Sequence, residues 1–458
     1  MNATTATDGL AIPQRYWAIG TIALGLIMAV LDGAIANVAL PTIARDLQAS
    51  PASSIWVVNA YQLAVTVSLL PLAALGDIVG YRRVYQAGLV VFTVASLLCA
   101  RSDSLTTLAL ARVAQGFGAS GIMSVNTALI RFIHPRRMLG TAMGINALMV
   151  AVSSAVGPTV ASGILSVAPW QWLFYVNVPT GVVALALGLR TLPATVRASH
   201  RFDVISALLN AVALGSLIVA VDGIGQGESR GLVAAEAAVA VVAGWLLVRR
   251  QLSRAAPLLP VDLLRIPIFA LSIATSICSF AAQTLAYVSL PFYLQDALGR
   301  SQVETGLLMT PWPLTVAVVA PIAGRLSDRY SAGLLGGIGL LAMAAGLGLL
   351  ALLPAHPSEV EIIWRMVLCG FGFGLFQTPN NRAMIGATPP QRSGAGGGML
   401  STARLLGQTL GAAMVAVVFG VVPAHGTTVT LLVGAAFSVA AAGISAVRLT
   451  RRRPSPAA

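Results

Sequence analysis

Long apolar segments, separated by short polar connections, follow one another along nearly the whole chain. A helix that crosses the hydrocarbon core of a bilayer needs about 20 mostly apolar residues. Fourteen segments reach that length, so the pattern predicts an all-α integral membrane protein with 14 transmembrane helices and no soluble domain between them. Their approximate limits are 15–41, 54–76, 83–101, 105–130, 138–165, 170–191, 203–222, 231–249, 267–295, 303–324, 332–353, 361–381, 394–421 and 427–448.

Composition agrees with this prediction. Of the 458 residues, 57% are hydrophobic and only 9% are charged, and the mean hydropathy is +0.84. The polar start of the chain leads into an apolar segment that is too long for a cleavable signal core, so we expect no removed targeting peptide. The lipid bilayer is therefore the expected surrounding of most of the chain.

The net charge of +13 could indicate a nucleic-acid partner, but its distribution favours membrane topology. All 28 basic residues are arginines, and 21 of them fall on one side of the predicted helices. The opposite side holds only Arg45, Arg101, Arg230 and Arg300. Positive residues concentrate in cytoplasmic loops. The pattern predicts a multi-pass protein of the inner or plasma membrane with both termini in the cytoplasm, and no nucleic-acid partner.

The residues that usually build metal, disulfide or catalytic sites are few. The three cysteines lie in apolar segments without C-x-x-C spacing, and the four histidines have no partner pattern. The chain has no lysine and hence no phosphate-binding Gly-x-x-x-x-Gly-Lys loop. These patterns disfavour an enzyme and indicate no metal and no cofactor. An electrochemical gradient remains as the energy source for any transport.

Two short sequences occur twice. Loop 73–83 shares the order Leu, small residue, Asp with loop 324–331, and Arg112 followed by Gly116-Phe117-Gly118 is echoed by Arg365 followed by Gly370-Phe371-Gly372. Parallel repeats of this kind predict two homologous six-helix halves with a substrate path between them. We predict halves at 1–201 and 267–458, the second ending in a short basic tail, with an accessory pair of helices and cytoplasmic linkers at 202–266.

Asp32 lies within the apolar run 17–41. A carboxylate near the centre of a membrane helix costs about 2.5–3.5 kcal/mol on insertion scales, so such residues usually face a bundle interior and mark a pathway or a proton relay. At 1.5 Å per residue, Asp32 lies about 13 Å and Arg112 about 10 Å from the outer ends of their helices. The two side chains could therefore meet. The alternative is a static ion pair that only joins two helices.

Several motifs resemble those of the major facilitator superfamily, and specifically its fourteen-helix drug:proton antiporter branch. Leu31-Asp32 followed by Asn37-Val38-Ala39-Leu40-Pro41 resembles the first-helix signature of that branch, and the segment 170–181 resembles its sixth-helix motif. The loop 75–83 resembles the superfamily signature between helices 2 and 3, and 324–331 resembles its second-half copy. The resemblance covers essentially the whole chain.

The resemblance implies roles for individual residues. Asp32 would be the proton carrier or the counter-charge of the substrate, and Arg112 would modulate it. An arginine favours the charged carboxylate and apolar burial favours the neutral one, so that separating the two side chains drives proton uptake. A conformational latch would comprise Asp77, Gly80, Arg82 and Arg83 with Gly324, Asp328 and Arg329. A hinge typical of antiporters would comprise Gly157, Pro158 and Gly163. The alternatives are a solvated loop for the latch and a purely structural kink for the hinge.

The chain also departs from the family pattern. Ile78 and Tyr81 replace usually basic residues of the first loop, and Gln171 replaces an arginine between two tryptophans. The latch could therefore be weaker in the first half. Small polar residues could line a substrate cavity, or form interhelical hydrogen bonds instead; they are Asn37, Gln115, Asn126, Asn146, Gln283, Tyr287, Gln377, Asn380, Asn381, Arg404 and Gln408.

These observations together predict a secondary active transporter rather than an enzyme. We expect a monomeric, proton-coupled efflux antiporter of small lipophilic compounds such as drugs, which works by rocker-switch alternating access. A uniporter or importer of a small metabolite is the alternative within transport, and a membrane enzyme or signalling subunit is disfavoured. A small-molecule substrate and protons are the expected partners.

Overall fold

The structure is a computed structural model, and it describes residues 9–135, 138–195, 202–253, 260–388 and 392–450. Each of the fourteen predicted segments coincides with one helix or with two consecutive helices; the basic tail lies outside the described residues. The helices are α1 Gln14–Asp46, α2 Pro51–Ser54, α3 Trp56–Val79, α4 Tyr81–Ala100, α5 Leu105–Ile133, α6 Leu139–Leu165, α7 Trp172–Tyr175, α8 Asn177–Thr191, α9 Val204–Gln226, α10 Arg230–Leu252, α11 Pro267–Phe292, α12 Gln302–Met309, α13 Pro311–Leu326, α14 Ala332–Ala351, α15 Glu359–Ala387, α16 Ser393–Val421 and α17 Gly426–Thr450.

The all-α membrane fold is confirmed, whereas the count of fourteen spans is confirmed only in part. Among the described residues, 12 helices are long and apolar enough to cross a membrane. The other two predicted spans coincide with α6 and α15, which have 27 and 29 residues. Both are long enough, but α15 carries several charged and amide side chains, and the apolar part of α6 is the shorter stretch Val152–Leu165. Fourteen spans therefore remain a prediction.

Contacts divide the chain into two compact units, residues 1–36 with 56–211, and residues 37–55 with 212–458. In the first unit, α5 packs against α3 and α4, and α4 packs against α8. In the second unit, α15 packs against α13 and α14, and α17 packs against α11 and α14. The predicted boundaries of the two halves and the insert stay a prediction.

Glycines allow the helices of the first unit to approach closely. A Cβ atom on Gly118 of α5 would lie 2.4 Å from the backbone nitrogen of Phe92 on α4. On the neighbouring face of α5, a Cβ atom on Gly116 would lie 2.5 Å from the carbonyl oxygen of Tyr61 on α3. Small residues of this kind let membrane helices pack backbone to backbone. The close contacts fix the position of α5, which carries Arg112.

The second unit repeats this arrangement with the echoed glycines. A Cβ atom on Gly372 of α15 would lie 2.4 Å from the carbonyl oxygen of Gly339 on α14. A Cβ atom on Gly370 would lie 2.4 Å from the carbonyl oxygen of Trp312 on α13. The Gly-Phe-Gly sequences that are similar in the two parts of the chain therefore make equivalent helix contacts.

Replacing Gly118 with alanine is expected to destabilise the protein by about 1–3 kcal/mol, because the added methyl group meets backbone atoms that cannot rotate away. The free energy of unfolding in detergent, measured by denaturant titration, tests this. Gly20→Ala is the matched control, since a Cβ atom there has no heavy neighbour within 4 Å. Equal stability of the two variants would contradict the packing argument.

The connection between α10 and α11 contacts the start of α16. Its 3₁₀ turn Val261–Arg265 buries Leu263 against a cluster that includes Phe269 and Met399. Asp262 of this turn accepts two hydrogen bonds from the guanidinium of Arg392, one of them at 3.1 Å. These bonds hold the pKa of Asp262 below its ordinary value, so the pair is charged at neutral pH.

Candidate functional site

Asp32 and Arg112 form an ion pair in the interior of the first unit. Nη1 of Arg112 on α5 donates a hydrogen bond to Oδ2 of Asp32 on α1. Asp32 is 2% exposed and Arg112 is 0% exposed, so each charge is removed from solvent. Burial of a single charge is costly unless it is paired and hydrogen-bonded. Asp32 and Arg112, for which the sequence predicts similar depths, are therefore in direct contact.

Two amide side chains complete the surroundings of the carboxylate. Oδ1 of Asp32 accepts hydrogen bonds from Nε2 of Gln115 at 2.9 Å and from Nδ2 of Asn177 at 2.7 Å. Gln115 also accepts from Arg112 Nη1 at 2.6 Å and donates to Ser96 Oγ at 2.9 Å. Helices α1, α4, α5 and α8 therefore all contribute to one buried polar network.

Contacts that do not involve Asp32 also hold Arg112. Its Nε donates to the carbonyl oxygen of Val57 at 2.8 Å, and its guanidinium carbon lies 4.2 Å from the ring centroid of Tyr61. The ring centroid of Phe174 also lies near this guanidinium carbon, at a distance of 5.6 Å. A cation over an aromatic face is stabilised by the ring quadrupole. Arg112 would thus keep partners if Asp32 lost its charge.

The hinge residues are placed differently from one another. Gly157 and Pro158 are buried on α6, and a Cβ atom on Gly157 would lie 2.6 Å from Cβ of Ala34, two residues after Asp32. Gly163 is exposed, and a Cβ atom there would have no heavy neighbour within 4 Å. Gly157 is therefore the member of this motif that lets α6 approach the helix of Asp32.

In the first unit, the predicted latch loop forms one hydrogen bond between the ends of α3 and α4 and another to the end of α8. Asp77 accepts a hydrogen bond from the Tyr81 hydroxyl. Gly80 has a φ of 106°, a conformation in which glycine has no steric penalty, so it permits the tight turn between α3 and α4. Arg82 donates to the carbonyl oxygen of Leu189 at 2.5 Å, and Arg83 is exposed. Tyr81, a departure from the family pattern, thus supplies a partner for the loop aspartate.

In the second unit, the loop copy forms an ion pair that the sequence did not indicate. Arg382 of α15 donates to Asp328 at 2.5 Å and to the Ser327 hydroxyl at 3.0 Å. Both charged side chains are more than half exposed, and exposed pairs contribute about 0–1 kcal/mol. Arg329 is exposed and Gly324 is half-buried. The pair therefore connects the loop after α13 to α15 and has a small effect on stability.

The residues predicted to line a cavity fall into two groups. Residues of the first group are buried or hydrogen-bonded to another side chain. Gln115 belongs to the buried network, and Asn37 is buried. Asn126 donates to Asn146 at 2.6 Å, and Asn380 donates to Ser276 at 2.8 Å. Those in the second group are half-buried, and their polar groups have no hydrogen-bond partner among the described residues. They are Gln283, Tyr287, Gln377, Asn381, Arg404 and Gln408.

Sequence reasoning did not assign roles to three residues of the network, Asn177, Tyr61 and Ser96. Asn177 lies within the sixth-helix motif, and a depth count could have found it. It is five residues beyond Trp172, or about 8 Å along the helix axis, a depth similar to that of Arg112. Tyr61 donates from its hydroxyl to the carbonyl oxygen of Ala29 at 2.8 Å, one turn before Asp32. It had no comparable signal in the sequence.

Replacing Asn177 with alanine is expected to lower the free energy of unfolding by about 1.5–3 kcal/mol, because a hydrogen bond to a buried charged group is lost. Denaturant titration of the purified variant measures the change. Thr180→Ala on the same helix is the control, since among the described residues the Thr180 hydroxyl bonds only to Val176 of its own turn. If both variants were equally stable, Asn177 would not hold Asp32 in the way that the geometry indicates.

Comparison with known proteins agrees with the motifs. Residues 22–412 match the family model of the Major Facilitator Superfamily. The chain is 61% identical to the uncharacterized transporter YebQ of Escherichia coli, over 97% of this chain and 98% of YebQ. It is 33% identical to the riboflavin transporter RibZ of Clostridioides difficile, over 87% of each chain. It is also 33% identical to the multidrug resistance protein Stp of Mycobacterium tuberculosis, over 85% of this chain and 73% of Stp.

Solved structures show the same fold. The crystal structure of a bacterial homologue of the human lysosomal transporter Spinster matches 98% of this chain with a TM-score of 0.70 at 15% identity. The similarity to a multidrug resistance protein agrees with the drug:proton antiporter branch that the motifs indicate. The chain belongs to the Major Facilitator Superfamily and is a membrane transporter, not an enzyme.

Proposed function

We propose that the protein is a proton-coupled exporter of small lipophilic compounds, which exchanges them for protons across the plasma membrane. The observation that carries the proposal is the buried pair of Asp32 and Arg112, held by Gln115 and Asn177 inside helices that cross the membrane. Intramembrane carboxylates of this kind mark proton relays and substrate pathways. The resistance named for Stp supports drugs as the class of substrate.

Proton binding at Asp32 would convert the carboxylate into a neutral acid and remove its attraction for Arg112. The carbonyl oxygen of Val57 and the ring of Tyr61 would then retain the guanidinium. Neutral Asp32 needs fewer donors, so the contacts of Gln115 and Asn177 that join α5 and α8 to α1 would weaken together. We infer that this change favours the rocking of one six-helix half against the other.

A drug-susceptibility panel in a host without its own pumps tests export directly. Expression of the protein is expected to raise the resistance to at least one lipophilic compound. Purified protein in liposomes with an internal pH dye should then move protons when that compound is added. Unchanged resistance to every compound would contradict export, and substrate movement without proton movement would contradict antiport.

A small-metabolite uniporter or importer is the second candidate, and the similarity to the riboflavin transporter RibZ favours it. Adding riboflavin to the same liposomes separates the two. Riboflavin movement that is independent of the pH gradient, with no drug movement, would support the second candidate over the first.

A further inference from the structure

Arg404 is a charged residue inside a membrane span. It lies eight residues into the apolar segment Gly396–Val421 of α16, about 12 Å along the helix axis. Its side chain is half-buried. An arginine at such a depth is costly unless it pairs with an opposite charge, with carbonyl groups or with water. The surroundings of Arg404 therefore indicate what it can bind.

Arg404 has no protein partner among the described residues, in contrast to other arginines within helices. Arg112 has its carboxylate, Arg365 donates to the carbonyl oxygen of Glu361 at 2.7 Å, and Arg448 donates to that of Leu271 at 3.1 Å. The helices with most contacts to α16, which are α11, α17 and α2, contain no acidic residue, and the acidic residues of α15 lie in its first turn. Within the part of the chain that the structure describes, no donor of the Arg404 guanidinium is used by a protein group.

Gln408 adds a second available polar group. It lies one helical turn after Arg404, so the two side chains share a face of α16. It is also half-buried and has no hydrogen-bond partner in the described part of the chain. The neighbouring face of α16 is closed, because Cβ atoms on Gly407 and Gly411 would lie 2.5 and 2.6 Å from carbonyl oxygens of Ile277 and Ala281 on α11.

Arg404 and Gln408 lie on a helix that is less exposed than the peripheral helix α10. No residue of α16 between Gly396 and Phe419 is exposed. By contrast, α10 exposes several large apolar side chains, including Val241 at 71% and Trp245 at 54%. Arg404 and Gln408 thus keep part of their surface accessible on a helix whose side chains are otherwise buried or half-buried. A phospholipid headgroup is therefore a poorer occupant than a molecule that enters the protein.

We propose that Arg404 and Gln408 form a binding site for the anionic group of a substrate, so that the protein accepts amphiphilic organic anions such as aromatic carboxylates and sulfonates. The guanidinium presents planar, paired N–H donors that match two oxygens of such a group, and the Gln408 amide can donate one more bond. The inference rests on the proposed transport function and specifies the class of substrate. Export of an anion is also favoured by a membrane potential that is negative inside.

Binding of two matched probes tests the site. The probes are 8-anilinonaphthalene-1-sulfonate and its uncharged sulfonamide, and titration calorimetry of the full protein in lipid nanodiscs measures their affinities, with empty nanodiscs as the blank. The wild type is expected to bind the sulfonate at least about 10-fold more tightly than the sulfonamide. In Arg404→Gln, the sulfonate affinity should fall about 10- to 100-fold, because a charge-assisted hydrogen-bonded contact is lost. Arg404→Lys should retain part of the preference.

Controls separate this site from folding, from lipid and from the proposed transport. Arg404→Gln should keep its sulfonamide affinity, and Arg365→Gln should keep both affinities. Nanodiscs with and without phosphatidylglycerol should give equal sulfonate affinities. Competition by that lipid, or equal sulfonate affinity in the wild type and Arg404→Gln, would overturn the substrate site. Loss of proton movement in liposomes would contradict the proposed antiport while leaving this binding preference intact.

Discussion

Asp32→Asn is expected to reduce proton-coupled transport to the background of empty liposomes. The amide that replaces the carboxylate has the same shape and can still accept a hydrogen bond from Arg112, but it cannot take up and release a proton. Transport against a gradient of the substrate, driven by an imposed pH difference, is the measurement. The internal pH dye should show no proton movement when substrate is added to this variant.

Exchange of labelled for unlabelled substrate, without a pH difference, shows whether the Asp32→Asn protein still folds and binds. We expect this exchange to continue, since it needs no net proton movement. Asp103→Asn is the control, because Asp103 is exposed in the connection before α5. Full proton-driven transport by Asp32→Asn would show that the carboxylate is not the proton carrier. Loss of both exchange and binding would assign Asp32 to the structure or to the substrate instead.

The two units differ in their capacity for this chemistry. Arg365 is the echo of Arg112, but it bonds to a carbonyl oxygen of its own helix and lies over the ring of Trp364. The sequence of α11 contains no acidic residue. Related helix packing in the two units therefore supports a buried ion pair in the first unit, whereas Arg404 has no partner in the described part of the second. Similar helix packing therefore holds different charged groups in the two units.

Apolar length and depth were sufficient to predict the helices and the contact of Asp32 with Arg112. Each predicted apolar segment coincides with helix, because about 20 apolar residues leave few alternatives in a bilayer. The depth of a residue in the membrane can also be predicted by counting along its helix, since the rise per residue is constant. The rotation of each helix about its own axis could not be predicted from the sequence. A helix such as α1, which is apolar on nearly all sides, has no single hydrophobic face that fixes its rotation.

That lack of a preferred face explains why particular neighbours were missed. The carbonyl oxygen of Val57, the ring of Tyr61 and the amide of Asn177 meet Arg112 or Asp32 only because α3 and α8 are rotated toward them. The rotation depends on contacts between distant segments, such as Gly116 against Tyr61. In the same way, the ion pair of Asp328 with Arg382 depends on the packing of α13 against α15.

Arg112→Gln is expected to cause the largest loss of stability, about 3–5 kcal/mol. Removing the guanidinium leaves the Asp32 carboxylate buried without its opposite charge, and breaking one side of a buried pair has an effect of this size. The free energy of unfolding in detergent, from denaturant titration, measures the loss. Arg365→Gln is the matched control in the related position, where no carboxylate pairs with the arginine in the described residues, and should lose about 1 kcal/mol or less.

The double variant Asp32→Asn with Arg112→Gln decides whether charge or packing causes the loss. Two neutral amides leave no uncompensated charge in the interior, so the double variant should be more stable than Arg112→Gln alone. The interaction energy of the cycle is expected to be about 0.5–3 kcal/mol, as for residues in direct contact. The double variant should still show no proton movement in liposomes, because it lacks the Asp32 carboxylate. Additive losses in the cycle would mean that the pair contributes little, whereas restored proton movement would exclude Asp32 as the carrier.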